Sequence, residues 1–422
     1  MERKLFSKDF LLVVTGQIIS LFGNATVRFA LPLYLLNQTG SSALYGAVTA
    51  CAFIPAILLS PVGGIVADRV NKRNIMVALD FFTAAVITVF SLLMGGVNLV
   101  LLMTVTMMLL YGIAGAYQPS VQASIPALVS QDRFMEANSI IGSISSIASL
   151  LGPALGGVLY SAWGLKPVLW ICVACFFFSA VMELFIRIPS PKQDFGGGIW
   201  RMVKEDFSGS VHFIRREQPL VWKLVLVLCG INLFLSSMII VGLPYMITEV
   251  LGLDEALYGF AQGALAAGGL AGGVFAGIFA RKLAIGKAGK LLIAGAGCMF
   301  PVGIGGYFIS SAMAVYTVIT ACCFLAMVFA TVFSVQVMSF IQAQTPLELV
   351  GKVIALVLTV SMCAQPLGNA LYGVLFEICQ GQEFMVILLG GGGVSGDRPG
   401  GRESVSGTFG VKGRHIYEKR CR

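Results

Sequence analysis

Eleven apolar runs, each long enough to cross a bilayer, constrain this chain more than anything else, and nearly all of its charge sits in the gaps between them. They fall near 10–37, 42–67, 74–95, 98–128, 138–161 and 167–187, then near 220–248, 256–280, 288–310, 312–343 and 353–379. At about 1.5 Å rise per residue, roughly 20 helical residues cover ~30 Å of hydrocarbon. Backbone polar groups in that medium must be bonded within the segment, so runs of this kind form helices. Charged residues make up 11% of the chain, against about 25% in soluble domains. The expected class is an all-α membrane protein lying in a lipid bilayer. The first run is too long for the apolar core of a leader peptide and lacks a small-residue cleavage pattern, so it counts as a span.

The formal net charge is +8, but its distribution follows membrane topology and implies no nucleic acid. On the side of the N-terminus lie Arg3, Lys4, Lys8, Arg69, Lys72, Arg73, Arg133 and the basic residues between 187 and 223. Arg281, Lys282, Lys287, Lys290 and Lys352 share that side, while the alternate gaps hold Lys166 alone. This asymmetry predicts a cytoplasmic N-terminus. Ten cysteines are scattered through the chain, and Cys172 and Cys175 form a CxxC inside an apolar run, with two histidines in all. Cysteines packing between helices explain this better than a metal site, so no metal and no cofactor is expected. No GxxxxGK[ST] phosphate loop is present, and no clustered His, Ser or acid set suggests an enzyme.

A repeat organises the runs. Ala43-Leu44-Tyr45-Gly46 recurs as Ala256-Leu257-Tyr258-Gly259, Gly64-Ile65 as Gly277-Ile278, and Pro153 as Pro366, all at a shift of 213. Each span of the first half then matches the span six later in the same orientation, a parallel repeat whose halves enclose a cavity near mid-membrane. The expected organisation is a six-helix bundle over 1–187, a cytoplasmic linker over 188–219, a second bundle over 220–389 and a tail over 390–422. In the linker, Trp200, Val203, Phe207, Val211 and Ile214 recur at helical spacing opposite Arg201, Lys204 and Arg215. That pattern fits an amphipathic helix on the inner leaflet or a solvated linker helix. Six apolar residues from Phe384 run into Gly390–Gly393, too few to span, so the twelfth helix reads as truncated or aberrant, as a frameshift would leave it.

Polar residues recur at helical spacing inside several runs. Gln17, Ser20, Asn24 and Arg28 line the first; Tyr111, Gly115, Gln118 and Gln122 the fourth; Asn232 and Ser236 the seventh; Ser361, Gln365, Asn369 and Tyr372 the eleventh. Such stripes avoid lipid and face protein or water. Asn24, Arg28, Gln118, Gln122, Asn232, Gln365 and Asn369 are the candidates for a substrate cavity, with bonding between helices the competing role. Arg28 is the only Lys or Arg well inside a span; it binds a polar or anionic substrate group, tunes a carboxylate, or snorkels outward. Asp80, about two turns into the third run, is the candidate for proton coupling, and Glu183 is expected to pair with Arg187, four residues on.

The stretch GGIVADRVNKRN at 63–74 resembles the signature loop of the major facilitator superfamily, with Asn71 where the family has Gly. The resemblance implies a fold of two pseudo-symmetric six-helix bundles and a cytoplasmic gate at Asp68, Arg69, Lys72 and Arg73, in which Asp68 and Arg73 latch the halves together. Gly152-Pro153-Ala154-Leu155-Gly156-Gly157 is similar to the GPxxGG element of the superfamily's drug antiporters. LFGN at 21–24, LPLYLLNQTGSSALYG at 31–46 and YGIAGAYQPSVQASIPALV at 111–129 are similar to its macrolide-efflux and enterobactin-exporter branch. The arginine that drug antiporters of the superfamily carry in their fourth span is missing, which puts proton antiport in question. The resemblance implies a secondary transporter in the bacterial cytoplasmic membrane, exporting a small amphipathic substrate such as a macrolide-like drug or a siderophore-like compound against a proton or other ion gradient. Uptake, a lysophospholipid carrier of the same fold, or a non-transporting truncated product are the alternatives.

Overall fold

The structure is a computed structural model that describes residues 7–130, 133–186, 211, 214–216, 218–278, 288–309, 311–346 and 349–395, with the side chains of 60–69, 123, 126–127, 135, 351 and 391–395 outside that description. The helices are α1 (Lys8–Thr39), α2 (Ser42–Arg69), α3 (Lys72–Leu93), α4 (Leu99–Leu128), α5 (Phe134–Trp163) and α6 (Leu165–Leu184). They continue as α7 (Pro219–Val250), α8 (Glu255–Ile278), α9 (Ala288–Phe308), α10 (Ala312–Gln344), α11 (Val350–Ile378) and α12 (Glu383–Ser395). The first eleven are long and apolar enough to cross a membrane, one for each run read from the sequence. Large apolar side chains such as Leu92, Phe178, Leu101 and Ile278 are more than half exposed, the surface that lipid solvates.

Local chemistry sets the helix ends. Ser7 caps α1 by accepting from the Phe10 amide at 3.2 Å, and Asn98 caps α4 by accepting from Leu101 at 3.1 Å. Gly40, at φ 62°, closes α1 in the left-handed region and returns its N–H to the Leu36 carbonyl at 2.7 Å. Asn71 caps α3, its side chain accepting from the Arg73 amide at 3.1 Å. This gives Asn71 a capping role at the position where the family motif has Gly.

The chain forms two compact units. The first comprises Met1–Asp206, Leu243–Gly263 and Asn369–Glu377, and the second Phe207–Gly242, Ala264–Gly368 and Ile378–Arg422. In the first, α1 packs between α5 and α6, α3 lies against α4 and α6, and α2 runs along α4. Phe10, Val13, Met76, Val121, Ile125 and Ile141 form a buried apolar cluster toward the N-terminal end of α1. At the other end of α1, glycines let backbones touch. A Cβ on Gly46 of α2 would stand 2.8 Å from the Cα of Gly373 in α11, and one on Gly157 of α5 would stand 3.0 Å from the Cα of Gly259 in α8. Gly46 and Gly259 are a matched pair of the 213-residue repeat, while their partners Gly373 and Gly157 stand 216 apart, three residues out of that register.

Polar contacts lock the same end of this unit. Glu377 accepts from the Ser41 hydroxyl at 3.0 Å and from the Ala43 amide at 3.3 Å, which places a carboxylate at the N-terminus of α2. Asn37 donates to Glu255 at 2.8 Å, and Ser161 donates to Asp254 at 2.9 Å. The ends of α1, α2, α5, α8 and α11 are thus closed against one another.

In the second unit, Gly268 and Gly272 of α8 abut the α10 backbone at Phe324 and Val328. The glycine-rich C-terminus forms a helix where the sequence suggests only a six-residue stub. α12 has 13 residues and runs through the glycine tract. Phe384 and Leu388 explain its stability, since they fill the space above Gly306 and Gly303 of α9. At about 1.5 Å per residue it is still too short to cross ~30 Å. The expected linker helix from Trp200, the loop bases Arg281, Lys282 and Lys287, and the tail from 396 lie outside the described residues.

Gly46→Leu forces the α2 and α11 backbones apart at a point where no flexible side chain can yield, at a cost of about 1–3 kcal/mol. The expected outcome is a several-fold rise in the labelling rate of a cysteine placed at 42 (Ser42→Cys), buried at that same contact, by a membrane-impermeant maleimide.

Candidate functional site

The polar stripe of α1 divides between two environments. Arg28 lies toward the closed end of the helix, half-buried, with its guanidinium carbon 3.5 Å from the centroid of the Tyr111 ring of α4. That ring face offers the charge an attraction that hydrocarbon does not, worth about 0.5–2 kcal/mol. Asn24 and Gln118 are half-buried, and Gln122 is exposed. One and two turns earlier on α1, Ser20 and Gln17 turn into the bundle. The Ser20 hydroxyl donates to Asp80 Oδ1 of α3 at 3.1 Å. Gln17 Nε2 donates to the Tyr117 hydroxyl of α4 at 2.7 Å, and that hydroxyl donates to Glu183 Oε1 of α6 at 2.8 Å.

Asp80 is therefore inside the bundle, 2% exposed, and Glu183 is fully buried beside it. The sequence suggests that Glu183 pairs with Arg187 near the surface. Arg187 lies outside the described residues, and the carboxylate receives its hydrogen bond from Tyr117, reached through Gly16. A Cβ on Gly16 would stand 3.6 Å from Glu183 Oε1, so the glycine admits the carboxylate to the face of α1. Ser179, one turn earlier on α6, donates to the Gly16 carbonyl at 3.1 Å and fixes the approach of the two helices. Tyr117 is not singled out by the sequence, and Gln17 and Glu183 stand out there only as a polar-stripe residue and as a partner for Arg187. Their signal was spacing between different helices, which no single helix displays.

Elsewhere the candidate residues bond between and within helices. Asn369 is fully buried and donates to Thr49 of α2 at 3.5 Å. In the second unit, Gln365 Nε2 donates to the Ser237 hydroxyl at 3.0 Å, and that hydroxyl donates to the Asn232 carbonyl at 2.8 Å. Asn232 itself is half-buried and donates to the Leu228 carbonyl at 3.0 Å. Helical spacing puts Ser236 on the face of Asn232, whereas the structure puts Ser237 there. The reason is a π-helical segment over Ile231–Ser236, which adds one residue to the turn and advances the face by one position. The Gly152–Gly157 element packs on two sides. Gly152 abuts Ala25 and Gly156 abuts Thr26 and Phe29 of α1, while Gly157 and the Pro153 carbonyl meet α8 at Gly259.

At the loop after α2, Lys72 is buried and Arg73 is half-buried, with Nε buried and without a hydrogen-bond partner among the described residues. Asp68 and Arg69 close α2, and their side chains lie outside the described set.

Eleven apolar spans, a parallel internal repeat and polar groups held inside the spans define a polytopic helical membrane protein of the kind that carries solutes. The sequence matches the Major Facilitator Superfamily over residues 13–369, and the chain belongs to that family. Macrolide efflux protein A of Streptococcus pyogenes is 26% identical over 181 residues, 43% of this chain and 45% of that protein. The lysophospholipid transporter LplT of Klebsiella pneumoniae is 30% identical over 203 residues, 47% of each. The chain thus spans less than half the length of these curated relatives. Among solved structures, a bacterial homologue of the iron transporter ferroportin in an inward-facing state superposes with TM-score 0.69 at 17% identity, covering 92% of this chain and 98% of that one. The nucleoside transporter NupG superposes with TM-score 0.71 at 13% identity over 92% and 97%. Both likenesses are of fold.

Tyr117 is the hinge of the buried network, serving Gln17 as acceptor and Glu183 as donor. Tyr117→Phe is expected to destabilise the protein by about 1–3 kcal/mol, read as a lower thermal midpoint in detergent, whereas Tyr111→Phe, which keeps the ring under Arg28, leaves that midpoint unchanged.

Proposed function

We propose that the chain is a secondary active transporter of the bacterial plasma membrane that exports small amphipathic compounds by alternating access, driven by an ion gradient. The observation that carries this reading is one bundle holding both a half-buried cation, Arg28 on Tyr111, and a buried acid, Asp80. Charges inside membrane spans are expensive, and in transporters they serve substrates and coupling ions. In the first unit Asn24, Arg28, the Gln118–Gln122 face of α4 and Asn369 are the substrate contacts, and in the second unit Asn232 and Gln365. Asp80 is the coupling acid. Asp68, Arg69, Lys72 and Arg73 form the cytoplasmic gate, with the N-terminus on that side. The closed end built on Gly46, Gly373, Gly157 and Gly259 is then the external gate.

Likeness to macrolide efflux protein A supports macrolide-like substrates, and export as the direction. Likeness to the lysophospholipid transporter supports a second reading, inward movement of a lysolipid by the same fold.

Everted vesicles test the choice. With an imposed ion gradient they are expected to accumulate a labelled macrolide several-fold over vesicles without the protein. Arg28→Ala removes most of that accumulation, and Asp80→Asn abolishes the gradient-driven part while equilibrium binding persists. Lysolipid uptake by whole cells with no macrolide accumulation in everted vesicles supports the second reading and overturns the first.

A further inference from the structure

The transport reading uses only Asp80 from the polar cluster enclosed by α1, α3, α4 and α6, yet the cluster has more to satisfy than one acid. Gln17 and Glu183 are fully buried, Asp80 is 2% exposed, Ser20 3% and Tyr117 6%. Hydrogen bonds account for Gln17 Nε2, Asp80 Oδ1 and Glu183 Oε1. Three acceptors are left over. Gln17 Oε1, Asp80 Oδ2 and Glu183 Oε2 are each buried without a hydrogen-bond partner among the described residues. Buried polar atoms nearly always find one. Gln17 and Ser20, one turn apart on α1, draw the two acids to one face of that helix through Tyr117 and directly, and the Arg133–Glu136 ion pair lies elsewhere.

Counting hydrogens narrows what the cluster takes. Ser20 and Tyr117 have each committed their single hydroxyl proton to a carboxylate. Each of the two acids can take up a proton of its own, whereas one metal cation would engage an oxygen from all three side chains at once and offset buried negative charge. The donors are all oxygen, which selects a hard ion. Calcium takes about 6–8 oxygens and magnesium keeps several waters, whereas this closed site offers three free oxygens, its hydroxyls at Ser20, Tyr117 and Ser179 already donating to other groups.

We propose that Gln17, Asp80 and Glu183 hold a sodium ion inside the first bundle, through the three oxygens that no hydrogen bond uses, with Ser20 and Tyr117 orienting the carboxylates. This rests on the reading of Asp80 as the coupling acid and names the ion it couples to. Protons compete for the same oxygens. Among the described residues, the titratable groups facing the site are Asp80 from α3, Tyr117 from α4 and Glu183 from α6.

The test uses the full chain purified in detergent at mildly alkaline pH. Radioactive sodium is expected to bind saturably at one ion per chain, and sodium chloride to raise the thermal midpoint by several degrees over choline chloride at equal ionic strength. Glu183→Gln abolishes both effects, Gln17→Leu weakens sodium roughly tenfold, and acidification raises the sodium needed for half-saturation. The proposal is overturned by the absence of saturable sodium binding to the wild type, which needs no variant to fold. It is equally overturned by an undiminished sodium effect in Glu183→Gln, or by calcium displacing sodium at far lower concentration. Sodium binding together with unimpaired transport by Asp80→Asn removes the coupling reading and keeps the site. Asp80-dependent transport without sodium binding keeps the coupling reading and removes the site.

Discussion

A polar group inside a membrane span has no water to turn to, and this constraint orders the whole first unit. Several of the polar side chains that the spans carry are met by another helix, by their own backbone or by an aromatic face. Arg28 meets Tyr111, Ser20 meets Asp80, Gln17 and Glu183 meet Tyr117, and Asn369 meets Thr49. Apolar packing discriminates little between neighbours when lipid is as apolar as leucine, so these contacts and the glycine-to-glycine approaches decide which helix lies beside which.

The two means of association serve different ends of the molecule. Glycines at 46, 157, 259 and 373 bring backbones together where α2 meets α11 and α5 meets α8. Such a contact carries no side-chain entropy and involves few atoms, so it suits a surface that must part and close again. The buried network of Gln17, Ser20, Asp80, Tyr117 and Glu183 ties four helices of the first half into one body. The alternating access proposed above calls for both a rigid bundle and a separable seam.

The sequence made the spans legible because hydrophobic length and charge asymmetry are local properties. Helices match runs one for one, the repeat of 213 pairs Gly46 with Gly259 at two glycine contacts, and Pro153 and Gly157 fall where α5 meets α8. The individual site residues were legible only in part. Asn232, Gln365, Asn369 and Arg28 could be picked out as polar intruders in apolar runs. Ser237 could not, because a π-helical turn breaks the 3.6-residue spacing by which a face is read. The glycine tract at 390–393 likewise continues a helix against its weak propensity, held by Phe384 and Leu388 on α9.

By itself the sequence determined the class of the fold, the number of spans, their doubling and the family, because these follow from composition and periodicity along one strand of chain. Only the tertiary structure decided that Gln17, Asp80 and Glu183 share one buried cluster, and that Gly16 is the gap admitting Glu183 to α1. Those residues lie on helices far apart in the chain, and what brings them together is the matching of donors to acceptors across helices, which no local pattern encodes.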